Sequence, residues 1–130
     1  MNLNSKKVTV QKSAAALCEF LSDVKNFKVL MPVNTSKFEI INEKAFVFAL
    51  KGMPEIALEV KEVVSPNKVV LGAMSEKLPF TLTANIEETS ETTSEAELLF
   101  AGDFNPMMAM MIKSPITKFI ATLSENMQTL

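Results

Sequence analysis

From Lys37 to Phe100 the apolar residues recur mostly at every second position, and from Asn105 to Leu130 they recur at every third or fourth. These two periods predict a succession of half-buried strands followed by one long helix. In the last stretch Met108, Ile112, Ile116, Phe119, Leu123, Met127 and Leu130 share one stripe, whereas Lys113, Thr117, Lys118, Ser124, Glu125 and Gln128 fall largely outside it. Asn105-Pro106 suits a helix start, because the Asn side chain caps a free backbone N–H and Pro at the first helical position wastes no donor. At ~1.5 Å per residue such a helix reaches roughly 37 Å and needs a broad apolar surface beneath it. The strands are the natural source of that surface.

Lys7 to Gln11 alternates in the same way and predicts a first short strand. Ser13 is placed as an N-cap, with Ala14, Leu17, Cys18, Leu21 and Val24 on one helical face. Val24, Phe27 and Leu30 predict a further turn or two before Met31-Pro32 forces an extended exit. The strand series then contains Phe38 with Ile40; Phe46, Phe48 and Leu50; Ile56, Leu58 and Val60; Val69, Leu71 and Ala73; Phe80, Leu82, Ala84 and Ile86; and Ala96, Leu98 and Phe100. Asn42-Glu43-Lys44, Lys51-Gly52-Met53-Pro54, Ser65-Pro66-Asn67-Lys68, Leu78-Pro79, Glu88 to Ser94 and Gly102-Asp103 punctuate the runs. Pro66 is expected to preset the first central dihedral of its turn. The expected order is one strand, two short helices, six strands and a long helix, without internal repeats or linkers.

With 130 residues, 48% of them apolar, the chain suits a single domain spanning 1–130. Net charge is -2, all 13 basic residues are Lys, and Trp and Tyr are absent. That removes most base-stacking and bidentate base-reading side chains, so no nucleic-acid partner is expected. Cys18 stands alone, no secretory signal is seen near the start, and no apolar run approaches the ~18 residues of a membrane span. A cytoplasmic protein is the expectation.

The order β, α, α, six β, α is similar to the helix-grip fold of the START-like (SRPBCC) superfamily of polyketide cyclases, dehydrases and lipid-transport proteins. Local support comes from Ala16-Leu17-Cys18-Glu19-Phe20-Leu21-Ser22-Asp23-Val24-Lys25-Asn26-Phe27 followed by Met31-Pro32, which resembles the opening of many members. The resemblance implies an α+β fold in which a seven-stranded antiparallel sheet curls around the C-terminal helix, with an apolar cavity between them. Its superfamily includes carriers, cyclases and partner-binding modules, so fold alone does not choose among them.

Catalytic chemistry finds little material. There is no His, Arg or Tyr to serve as general base, anion clamp or phenolic acid, which leaves Asp103, Asp23, Glu19 and Lys113 as charged groups near element ends. Cys18 lacks any His to raise its thiolate fraction, and reads as helix packing. Glu87, Glu88, Glu95 and Glu97 lack the loop geometry of a calcium site, so no metal, cofactor or catalytic residue is assigned. Met107, Met108, Met110 and Met111 are the most unusual local feature. Ordinary core filling explains them; so does an adaptable wall or lid over a cavity, with Pro115 as a break, because Pro115 cannot donate to the carbonyl of Met111.

The expected cavity lining is Phe38, Phe46, Phe48, Leu58, Leu71, Phe80, Leu82, Phe100, Met108, Met111, Ile112 and Phe119. The first functional expectation is non-enzymatic binding or carriage of an apolar small molecule, lipid or polyketide-like. The alternative is a protein-interaction module with a filled core; cyclase or dehydrase activity ranks last. Cavity volume separates the first two, since several hundred Å³ of apolar space supports a ligand and a packed interior favours a protein partner.

Overall fold

The computed structural model describes residues 1–51, 53, 55–74 and 79–130. Alternation becomes a two-faced sheet most clearly in β7 (Phe80–Glu88) and β8 (Ser94–Gly102), which pair antiparallel along their whole length. Leu82 stands opposite Phe100, Ala84 opposite Leu98 and Ile86 opposite Ala96, so all six side chains share the inner face and are buried. The layer continues through β6 (Lys68–Ala73), β5 (Ile56–Val64), β4 (Ala45–Leu50) and β3 (Thr35–Asn42), with Leu71 opposite Leu82, Phe46 opposite Leu58 and Phe48 opposite Ile56. Directly opposed apolar pairs of this kind are the unit of sheet stabilisation.

At the other edge the chain pairs twice with β8, first as β1 (Asn2–Asn4) and then as β2 (Val8–Val10). Eight strand segments therefore occupy seven positions, in the order β1/β2, β8, β7, β6, β5, β4, β3. Ser5 sits at the interruption, where its N–H donates to the Leu98 carbonyl at 2.9 Å and its hydroxyl accepts from the Leu98 N–H at 2.9 Å. One side chain thus supplies the ladder bond that a continuous strand would have made.

Between β2 and β3 lie α1 (Ala14–Ser22) and a 3₁₀ helix (Val24–Leu30). The Ser13 hydroxyl caps α1 by accepting from the Ala16 N–H at 3.1 Å, and Asp23 caps the 3₁₀ helix by accepting from the Lys25 N–H at 3.1 Å. Leu17, Cys18, Leu21, Val24, Phe27 and Leu30 are buried, as their spacing predicts.

The long helix α2 (Pro106–Met127) begins at an Asn105 cap that accepts from the Met108 N–H at 2.8 Å. It stops at Met127; residues 128–130 form a turn instead of continuing it. Its burial is uneven. Ile116, Phe119, Ile120, Leu123, Ser124 and Met127 are buried, and the Asn126 amide donates to the Leu30 carbonyl at 2.8 Å. Nothing before Ile116 is buried: Met108 and Ile112 are half-buried, while Met107, Met110 and Met111 are 75%, 82% and 67% exposed. The expected stripe is continuous in spacing and is fully buried only in its second half.

One turn departs from expectation. The Asn67 N–H donates to the Val64 carbonyl at 2.8 Å, so Val64 opens the turn and Pro66 takes its third position, after a cis peptide bond from Ser65. Gly52 and Pro54 of the predicted break after β4, and Leu78 before β7, lie outside the described residues.

Candidate functional site

Because β4 places Phe46 and Phe48 on the inner face, it builds a line of rings across the space between sheet and helices. Phe27 and Phe46 stack with centroids 5.3 Å apart, Phe46 and Phe48 lie 6.0 Å apart, and Phe48 stacks on Phe119 of α2 at 4.9 Å with only 9° between planes. Phe38 joins at 5.3 Å from Phe46. A second group, Phe80, Phe100 and Phe104, lies near the start of α2, with centroid separations of 4.8 and 6.1 Å. Such contacts add to the burial of the rings and hold α2 to β4.

Of the expected lining residues, Phe46, Phe48, Leu58, Leu71, Leu82, Phe100 and Phe119 are buried in one apolar core, and Phe38, Phe80 and Ile112 pack against it half-buried. Met108 is half-buried on α2. Met111 does not join them. It is 67% exposed, because one step along the helix from Ile112 turns it away from the sheet.

The space these residues enclose is almost filled. An apolar void of about 10 Å³ remains among α1, the 3₁₀ helix, β6 to β8 and the end of α2, bordered by Leu21, Phe27, Leu71, Leu82, Leu123 and Met127. That is roughly the room for one water centre, against ~300–1,000 Å³ for ligand pockets. Only Leu71 and Leu82 of the expected lining touch it. Void volume is a small difference between large side-chain volumes, which periodicity does not report.

A second opening lies where α2 changes character. A cleft of about 140 Å³ is bounded by Pro32 and Asn34, by Leu50, Lys51 and Met53, and by Pro115, Lys118, Phe119 and Thr122 of α2. Its apolar floor includes Leu50 and Phe119, both buried, and its rim carries Lys51 and Lys118, both exposed. Neither lysine has an ion-pair partner among the described residues. Except for Phe119 and Pro115, the residues of this cleft carried no functional expectation. The available signal was the combination of Pro32 and Pro115, two breaks that meet in space.

A larger surface opening, about 760 Å³, lies elsewhere, between α1, the 3₁₀ helix and the β3–β4 hairpin. Lys12, Lys25, Glu19, Asp23 and Glu43 border it, and it is a broad, open groove. Its charges of both signs give it no preference for an apolar molecule, so size does not decide the site. Among the described residues no three Cys, Asp or Glu side chains group closely enough to hold a metal ion, and no helix is long and apolar enough to cross a membrane. The Thr35 hydroxyl, on the register partner of Leu50, is buried without a hydrogen-bond partner.

No family model matches the chain, and no curated protein matches its sequence significantly. Solved structures do resemble it. Truncated norcoclaurine synthase from Thalictrum flavum superposes with a TM-score of 0.78 at 14% identity, over 99% of this chain and 91% of that one. A START superfamily protein from Mycobacterium smegmatis gives 0.75 at 11% identity, over 98% and 94%. A di-domain ARO/CYC protein, BexL, gives 0.65 at 12% identity, with 97% of this chain matching 46% of that one. At these identities the likeness concerns the backbone, and the catalytic or binding residues of those proteins do not transfer. Together with the seven-position antiparallel sheet, the paired short helices and α2, it shows that the chain has the helix-grip α+β fold.

Proposed function

We propose that this protein binds an apolar small molecule between its sheet and α2 without converting it, and that the site opens on entry of the ligand. The carrying observation is the division of α2: residues 106–115 contain no buried side chain and pack on the core through half-buried Ile112, with Met108, Ala109 and Pro115 also half-buried, whereas the second half buries six residues. Fully burying one large apolar side chain is worth ~1.5–3 kcal/mol, so lifting the two largest of these half-buried residues, Met108 and Ile112, costs on the order of 2 kcal/mol. A state that far above the closed one is populated at a few per cent. Next to the start of that segment stand the apolar rings of Phe80, Phe100 and Phe104. The sequence has no His, Arg or Tyr to place against a bound molecule, which supports carriage over turnover. A buried free thiol at Cys18 suits a reducing, cytoplasmic setting.

Titration with an apolar fluorescent probe tests this reading. Saturable binding is expected, with an observed rate that levels off at high probe concentration because opening becomes limiting. The filled interior favours a second reading, in which the fold docks another protein. Absence of probe binding together with stoichiometric capture of one protein partner would establish that reading instead.

A further inference from the structure

We infer that the 140 Å³ cleft beside Pro115 is a head-group site, and that the molecule taken up is an amphiphile with an anionic end such as a long-chain carboxylate. This rests on the apolar-ligand reading and adds the class of ligand. The cleft has two chemically distinct levels. Leu50, Met53, Pro115 and Phe119 give it an apolar floor, and Lys51 and Lys118 put two ammonium groups on its rim. Among the described residues no Asp or Glu borders it, although the chain holds more acidic than basic residues, 15 against 13. The ion pairs among the described residues use Lys37 and Lys61, leaving both rim lysines available to an incoming anion.

The position of the cleft matters as much as its charge. Pro115 lies in its wall and marks the boundary between the unburied and packed halves of α2, so a head held at the rim starts its chain at the seam that opens. Phe119 in the floor stacks on Phe48, and its displacement leads directly into the line of aromatic rings. A carboxylate at the surface then keeps its partial hydration while its chain leaves water. Two exposed lysine contacts produce a modest preference, about fivefold to thirtyfold, because each exposed ion pair contributes little in high dielectric.

The experiment compares a naturally fluorescent polyunsaturated fatty acid, cis-parinaric acid, with its methyl ester, on the whole chain and on the double variant Lys51→Gln, Lys118→Gln. Both lysines are exposed, so the variant retains the fold, which circular dichroism checks. The expected result is about tenfold tighter binding of the acid than of the ester by the unmodified protein, with the difference shrinking in 1 M salt. In the variant the acid should weaken to the affinity of the ester, while ester binding is unchanged. Equal binding of acid and ester overturns the head-group assignment and leaves the apolar-ligand reading standing. An acid preference that survives in the variant also overturns it, since the anion is then held elsewhere. Binding of neither probe overturns both.

Discussion

Replacing Phe119 with Ala tests packing and access together. The ring is 4% exposed and lies nearly parallel to Phe48 at 4.9 Å, so its removal deletes a buried apolar body and an aromatic stack at one point. Truncations of this kind cost ~3–5 kcal/mol where the surroundings do not collapse. The stack accounts for about 0.5–1.5 kcal/mol of that beyond simple burial. Against a total of roughly 5–15 kcal/mol for a domain, the loss is large without abolishing folding. Taking a urea slope of about 2 kcal/mol per M, the unfolding midpoint should fall by about 2 M. The same change removes the floor that separates the surface cleft from Phe48, so an apolar fluorescent probe should enter faster and bind more tightly. Phe119→Leu, which retains apolar volume but not the ring face, should fall between the two proteins in both measurements. A stability loss below about 1 kcal/mol would show that Phe119 is not packed. A full loss of stability with no gain in probe binding would refute the entry route.

Gly102→Ala should destabilise by about 1–3 kcal/mol, because a Cβ there meets the Phe104 ring at 2.6 Å and Phe80 Cβ at 2.9 Å. Gly72→Ala should stay within about 0.5 kcal/mol of zero in the same urea assay, since the nearest atom is the flexible Lys61 stem at 2.7 Å. Thr35→Val removes a buried hydroxyl that has no partner and should raise stability by about 1 kcal/mol; a loss instead would show that the hydroxyl is satisfied in solution. Pro115→Ala restores a backbone donor inside α2 and should slow amide exchange over residues 107–114 and release of a bound fluorescent probe. Unchanged rates of both would make the proline a static feature.

Elements whose identity is written locally were legible from residues alone. Ser13 and Asn105 each have a side-chain acceptor three residues before a free N–H, and both cap their helices as expected. Phe80 to Glu87 alternates without interruption, and its buried side is the apolar one. Asn2–Asn4 gave no such sign, because three residues with one apolar member become a strand only through the partner that β8 offers. The turn at Pro66 was misframed for a related reason, since its hydrogen bond starts one residue earlier than Ser65. The candidate site was harder still. Spacing assigned Met108, Ile112 and Phe119 to one stripe, yet only Phe119 finds a ring to stack on. Lys51 and Lys118 are 67 positions apart in the sequence, and only the meeting of β4's end with α2 makes them one rim.

The division of α2 also constrains how it moves. A ten-residue helix is marginal in water, so 106–115 persists because the Asn105 cap and continuity with the packed half supply what its own burial does not. Pro115 removes the bond that would tie that half to the carbonyl of Met111. Three methionines exposed on the outer face add no contact with the core, and the remaining residues are at most half-buried, Met108 and Ile112 being the largest of these. Opening therefore proceeds by fraying from the start of the helix, in preference to a rigid swing that would have to carry an intact ladder away from the sheet. Fraying exposes Met108 before Ile112 and leaves Ile116 in place, so amide protection along the segment should rise step by step toward Pro115. A rigid swing would give equal protection to residues 109–114, because one event would break all of their contacts together.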